Sequence, residues 1–306
     1  MKRPLAFSAF FMIAAVCLAQ QASPVSVATP DPAAPSPTPC MAGWEAAHVV
    51  IGKGGGRDLH ARLDWPTNPP KTPMPAIISI HGGGWRNAAY EPNGARQFVS
   101  QGYFTMSCEY RTLPEAKWPA QIEDCKLAVR WLRANAAKYN VDPNRIGIWG
   151  GSAGGHLAAL LGSAENHPEL EGTGGYPDVS SKVQAVIDFF GPTDLRDGTY
   201  GLAQELFAKK YSEAPEVWTQ ASPITYVHKD MPPFLIVHGT KDPMVPYEQS
   251  KVFVEAMQKV GANVQFITVE NGDHGLHAKP GEPPATPDWS YIFPQMTAFF
   301  EKHLKN

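Results

Sequence analysis

Charge, cysteine and long apolar runs are all scarce in this chain. Only 18% of its 306 residues are charged, and 26 Lys and Arg against 29 Asp and Glu leave a formal net charge of -3. Nothing basic is concentrated enough to favour nucleic acid or an anionic membrane. The 4 cysteines include no Cys-x-x-Cys pair, and no paired histidines accompany them, which argues against a metal site and against a cysteine nucleophile. No metal or organic cofactor is expected, no feature calls for an obligate protein partner, and there is no internal repeat. The main apolar stretch near the N-terminus, Leu5 to Leu18, is too short to span a bilayer core that needs about 20 helical residues.

That stretch follows Lys2 and Arg3, so residues 1–19 read as a secretory signal peptide, with Cys17 and Ala19 supplying the small residues before the cleavage point. Val16 argues against lipid attachment at Cys17. Losing Lys2 and Arg3, two positive charges, would take the formal charge from -3 to -5. Residues 20–42 are mostly Ala, Ser, Thr and Pro, a composition that cannot bury enough apolar surface to offset ordering, and they read as a Pro-rich, disordered, extended tether. Residues 43–306 are expected to form one domain of a secreted or periplasmic protein. Cys108 and Cys125 can bridge if the strand and helix carrying them pack side by side; buried free thiols are the alternative.

Within the domain, His48 to Ile51 and Leu59 to Trp65 flank the glycine turn Gly52 to Gly56 and read as a hairpin. Strand-like and helix-like runs then alternate from Ala76 to Leu304, which implies an α/β fold, a mostly parallel central sheet with helices on both faces. Functional loops should gather at the C-terminal ends of the parallel strands. Two connections, Glu165 to Lys182 and Gly191 to Pro233, are long enough to suggest functional or lid-like segments, with a short helix at Gln204 to Tyr211.

The most informative motif is Gly150-Gly151-Ser152-Ala153-Gly154, between the apolar run Arg145 to Trp149 and the helix-forming run His156 to Leu161. A serine on so tight a strand-to-helix turn needs small residues two positions either side, and it stands exposed above the sheet as a nucleophile. A serine hydroxyl is nearly inert at neutral pH, so it requires a histidine base, itself oriented by a carboxylate. Asp242, after the strand Phe234 to His238, and His274, after Val264 to Val269, supply these in the order serine, aspartate, histidine. Taken alone, Asp242 is also a plausible turn residue before Pro243, and His277 is a rival base; the glycines flanking Asp273-His274 favour His274.

His81-Gly82-Gly83-Gly84-Trp85 follows the strand Ala76 to Ile80. Backbone N–H groups of Gly83 and Gly84, together with that of Ala153, are candidates to receive the oxyanion of a tetrahedral intermediate. Which of the three glycines points inward is left open. His81 reads as a loop-orienting residue, and Trp85 as either a substrate-binding wall or a core residue.

These motifs, with Glu109-Tyr110-Arg111, Trp118 to Asp124, Ala128 to Leu132, Phe189 to Leu195 and Val237 to Asp242, resemble the α/β-hydrolase superfamily. Within it, the chain resembles carbohydrate esterases of the bifunctional acetyl xylan and feruloyl esterase type, over roughly Ala46 to Leu304. The resemblance implies hydrolysis of acetyl or feruloyl esters on plant polysaccharide. Hormone-sensitive-lipase-like esterases share the His-Gly-Gly-Gly and Gly-x-Ser-Ala-Gly-Gly elements, so a general short-chain esterase or lipase is the alternative. The short stretch before His81 has no room for the β-propeller of a prolyl-oligopeptidase-like exopeptidase. A non-catalytic carbohydrate-binding or adhesion protein on the same fold would be expected to lack one of the three residues.

Overall fold

The computed structural model describes residues 38–40, 43–87, 90–165, 167–196, 198 and 200–306; the expected signal peptide and most of the expected tether lie outside them. One part of that tether proves ordered: β1 (Thr38–Cys40) pairs antiparallel with β2 (Trp44–Gly54). Pro39 is accommodated because β1 is the edge strand, where a missing N–H leaves no ladder partner unsatisfied.

The hairpin expected at the start of the domain is β2 and β3 (Arg57–Pro66). The rest of the sheet is β4 (Met74–Ile80), β5 (Phe104–Cys108), β6 (Val141–Gly151), β7 (Ala185–Phe189), β8 (Phe234–Gly239) and β9 (Val264–Val269). Their order is β1-β2-β3-β5-β4-β6-β7-β8-β9, and every pair from β5 to β9 in that row is parallel. The helices are α1 (Ala120–Ala134), α2 (Ala153–Ser163), α3 (Gly201–Phe207), α4 (Pro215–Gln220), α5 (Glu248–Val260) and α6 (Trp289–Leu304). This is the α/β-hydrolase fold.

The strands can be apolar throughout because alternate side chains enter different cores. Ile78, Val186 and Ile236 face a core completed by Leu127 of α1, Leu157 of α2 and Phe253 of α5. Their neighbours Ile77, Ile187, Leu235 and Val237 face a second core completed by Phe98 and by Ile292, Met296, Phe299 and Phe300 of α6. Burial on both faces holds the parallel strands in register, so their C-terminal ends form one rigid edge. Cys108, closing β5, and Cys125, on α1, are buried free thiols in side-chain contact, so the bridge left open by the sequence is not formed.

The first long connection is clamped rather than lid-like. Glu171 accepts from Lys126 Nζ at 2.7 Å, Arg130 Nη1 at 2.5 Å and Ser181 Oγ at 2.7 Å, while Arg133 donates to the carbonyl of Lys182 at 2.6 Å. Lys126 is fully buried, and burial lowers the pKa of its ammonium despite the carboxylate partner. Glu171→Ala strands two buried cations, and because Glu171 itself is partly exposed the loss of stability should be about 3 kcal/mol, at the lower end for a broken buried pair. Urea denaturation of the variant checks this; an unchanged midpoint would mean that the clamp contributes nothing.

The second long connection carries α3 and α4. Gln249 fixes its start, accepting from the N–H groups of Thr193 and Asp194 at 2.8 and 2.7 Å and donating to the Asp194 carbonyl at 2.8 Å. Its middle is tied to the segment after the His81 loop: Arg86 pairs with Glu205, Lys117 Nζ donates to the Glu205 carbonyl, and Trp118 N–H donates to the Leu206 carbonyl.

Candidate active site

The sharp turn between β6 and α2 places Ser152 at φ 58°, ψ -123°, a conformation that costs a non-glycine residue on the order of 1–3 kcal/mol. The surroundings enforce it. Ser152 N–H donates to the Phe189 carbonyl at 2.9 Å, and the Ser152 carbonyl accepts the His156 N–H at 2.9 Å, the first bond of α2. A β-carbon on Gly150 would lie 2.4 Å from the Gly154 backbone, and one on Gly154 would lie 2.2 Å from the Ile80 carbonyl oxygen. Both glycines are therefore required by the close approach of β4, β6 and α2.

Asp242 and His274 meet across the ends of β8 and β9. His274 Nδ1 lies 2.7 Å from Asp242 Oδ2. The other carboxylate oxygen accepts from the N–H groups of Met244 at 2.7 Å and Val245 at 2.9 Å. Asp242 has no exposed side-chain surface; hydrogen bonds from His238 and His274 outweigh this desolvation and hold its carboxyl well below the usual carboxylate range. His274 is one-quarter exposed and leans on Phe190, with ring centroids 4.6 Å apart. The Phe190 ring also flanks Gly151, 3.3 Å from where a β-carbon there would sit, which places the imidazole on the elbow side of the sheet edge. No hydrogen bond joins Ser152 to His274 among the described residues. His277 serves the loop instead, closing it through backbone contacts with Asp273.

The glycine loop after β4 runs alongside the elbow. A β-carbon on Gly82 would come within 3.5 Å of Ser152 Cβ, and Gly83 and Gly84 adopt φ of 101° and 61° in the turn closed by Arg86 N–H on the Gly83 carbonyl. Ala153 is the first residue of α2, whose N–H the helix itself cannot satisfy. His81 holds this loop. Its Nδ1 bonds the Gly82 carbonyl at 2.9 Å, its ring stacks on Tyr110 with centroids 4.1 Å apart, and the Tyr110 hydroxyl donates to the His81 carbonyl at 3.0 Å. Burial lowers its pKa, so it remains a neutral hydrogen-bonding residue.

Trp85 is the residue whose substrate-binding reading the structure corrects. It is 0% exposed, edge-on to His156 at 5.3 Å and to Tyr200 at 6.1 Å, because φ of 58° turns the chain so that the indole enters the core behind the glycine loop. Tyr200, half-buried and close enough to Asp242 for that charge to help burial raise its pKa to about 12, takes a place near the site that no motif marks. His238 was missed as well: its imidazole, fully buried, lies 3.2 Å from Asp242 Oδ2.

Asp188 lies behind the elbow, paired in register with Gly150. Its Oδ1 accepts the Gly191 N–H at 2.9 Å, its Oδ2 has no hydrogen-bond partner among the described residues, and burial pushes its pKa up to about 7. Because the folded value lies above the ordinary 3.8, the contribution of Asp188 to stability is most favourable at acid pH and falls as pH rises from about 4 to about 7. Asp188→Asn keeps the acceptor and removes the ionisation. Its stability relative to the parent should therefore climb by a few kcal/mol across that interval. Denaturation midpoints at several pH values measure this, and a constant difference between the two proteins would refute it.

Comparison with known proteins places this geometry in a family. The BD-FAE family model matches residues 64–257. Esterase LipQ of Mycobacterium tuberculosis is 34% identical over 243 residues, covering 76% of this chain and 57% of LipQ. Among solved structures, a truncated form of a carbohydrate esterase from gut microbiota is 34% identical with a TM-score of 0.70, covering 80% of this chain and 91% of that one. The thermophilic esterase Est2 of Thermogutta terrifontis is 27% identical with a TM-score of 0.69, covering 84% and 92%. The match spans a little over half the length of the curated mycobacterial relatives. With more than half of its residues under the family model and the strand-end arrangement above, the chain belongs to the BD-FAE family of α/β-hydrolases.

Proposed function

We propose that this protein is a serine hydrolase of carboxylic esters, and that its natural substrates are acetyl or feruloyl esters on plant polysaccharide, cleaved outside the cytoplasm. The observation that carries the reading is the 2.7 Å bond between His274 Nδ1 and buried Asp242 at the edge where the elbow presents Ser152. Ser152 Oγ attacks the ester carbonyl as His274 Nε2 takes its proton. Asp242 fixes the histidine tautomer and stabilises the imidazolium. The carbonyl oxygen, now charged, is met by N–H groups of the Gly83-Gly84 turn and of Ala153. His274 returns the proton to the leaving alcohol, then activates water to hydrolyse the acyl-enzyme.

The polysaccharide assignment is supported by similarity to the gut carbohydrate esterase and by the expected export of the chain, since a polymer cannot enter a cell. A second reading, a general short-chain esterase, draws support from the similarity to LipQ and Est2. The burial of Trp85 adds to it by removing one aromatic platform on which a sugar could stack. Rates on acetylated xylan, a feruloylated arabinose ester and a short-to-long p-nitrophenyl ester series decide between them. Release of acetate or ferulate far faster than hydrolysis of the simple esters is expected; activity confined to the p-nitrophenyl series would replace the polysaccharide reading with the second.

A further inference from the structure

His238 is the penultimate residue of β8, on the chain's path to Asp242, and both of its ring nitrogens are engaged although the ring is fully buried. Nδ1 lies 2.7 Å from Ser250 Oγ, on α5. Nε2 lies 3.0 Å from the Val245 carbonyl oxygen and 3.2 Å from Asp242 Oδ2. Neither of those two oxygens carries a hydrogen, so Nε2 must be the protonated nitrogen. In the neutral imidazole Nδ1 is then the acceptor, and the buried Ser250 hydroxyl donates to it.

We propose that His238 is a positioning residue for the Asp242–His274 pair: its Nε2–H pins Asp242 Oδ2 where that same oxygen receives His274 Nδ1, and Ser250 locks the tautomer that makes this possible. The inference rests on the serine-hydrolase reading above. A purely structural histidine would need only the Val245 carbonyl. Here the same N–H reaches the one carboxylate oxygen that faces His274, while the other oxygen is held by the N–H groups of Met244 and Val245. Two backbone N–H groups on Oδ1, the His274 bond on Oδ2 and the 3.2 Å approach of His238 Nε2 to that same Oδ2 thus hold the carboxylate from both sides and oppose its rotation about the Cβ–Cγ bond. The Phe190 ring packs near both imidazoles, with its centroid 4.6 Å from that of His274 and 6.3 Å from that of His238. Tyr247 closes the far side of His238 at 5.7 Å. Asp242 is therefore oriented before any substrate arrives, and so is the imidazole that it holds.

The test compares the full-length parent with His238→Phe, His238→Gln and Ser250→Ala on p-nitrophenyl acetate, with Ser152→Ala alongside. Phenylalanine fills the space but offers no donor, whereas the glutamine amide nitrogen can take the place of Nε2. His238→Phe should lower kcat roughly 10- to 100-fold, the scale of one charge-assisted hydrogen bond, with KM nearly unchanged. His238→Gln should recover most of that loss. Ser250→Ala should lower kcat a few-fold, again without a change in KM, and should displace the low-field proton resonance of the His274 Nδ1–H.

A folded His238→Phe protein with parental kcat and an unmoved low-field resonance overturns the proposal, as does a glutamine variant no better than phenylalanine. If His238→Phe does not fold, Ser250→Ala decides alone, and parental kcat with an unmoved resonance overturns the proposal. Loss of activity in Ser152→Ala combined with inert His238 and Ser250 variants removes only this inference. Retained activity in Ser152→Ala removes the serine-hydrolase reading itself.

Discussion

Ser152→Ala should lower kcat on any accepted ester by roughly 10^5- to 10^6-fold while leaving KM close to that of the parent. The size follows from the elbow. Once Oγ is gone, the strained turn presents only a methyl group, and no acyl-enzyme can form. What remains is the contribution of bound water and of the N–H groups around Gly83, Gly84 and Ala153, which still stabilise a tetrahedral species. His274→Ala should cost a similar amount, and the double variant no more than either single one, because nucleophile and base act as a unit. Fold is expected to survive: alanine meets the same φ of 58° with no larger side chain, and the backbone bonds to Phe189 and His156 do not involve the hydroxyl. A double variant whose loss equals the product of the single losses would contradict the shared step.

Asp242→Asn is the second large effect, and its direction is set by the loop around the carboxylate. The Met244 and Val245 N–H groups require an oxygen opposite them, so the carboxamide must keep its carbonyl there and turn its NH2 toward His274 and His238. A donor then faces Nδ1 of His274, which can respond only by giving up that proton. The hydrogen moves to Nε2, the nitrogen that must accept from Ser152. A loss on the order of 10^4-fold in kcat is expected at neutral pH with KM near that of the parent, together with some loss of stability, because the NH2 also meets the buried His238 Nε2–H. Asp242→Ala leaves no donor opposite Nδ1, so the alanine variant should be at least as active as the asparagine one. If asparagine proved nearly harmless, tautomer control by Asp242 would be disproved.

The parts of this site that were legible in the sequence are those where sterics or chain order leave little choice. Gly150 and Gly154 announce a turn too tight for a β-carbon, and the alternation of apolar strands with helices announces a parallel sheet whose strand ends lie together. Ser152, Asp242 and His274 each follow one such strand, so proximity of the three was a matter of topology. Trp85 shows the opposite case. Whether an indole after a glycine run faces substrate or core depends on a single positive φ, which the residue type disfavours and the surrounding fold imposes. His238 was hidden for another reason: a polar residue at the end of an apolar strand carries no periodic signal, and its bonds to Ser250, Val245 and Asp242 exist only after α5 has packed on the sheet. The clamp on Glu171 likewise joins α1 to a loop about 45 residues away, where the length of the connection alone suggested a functional or lid-like segment. Thr38–Cys40 joins the sheet because an edge position tolerates Pro39, which a count of prolines does not convey.

The most direct measurement is peptide mapping by mass spectrometry after treating the full-length protein with an active-site-directed organophosphate, diethyl p-nitrophenyl phosphate, while following both p-nitrophenol release and loss of esterase activity. Attack by Ser152 Oγ on phosphorus expels p-nitrophenolate and leaves a diethylphosphoryl group on the serine. One adduct per chain is expected, on Ser152, formed in step with the loss of activity and absent from the Ser152→Ala protein. Inactivation with the adduct on another residue, or full activity in protein whose Ser152 is modified, would contradict the account at its centre.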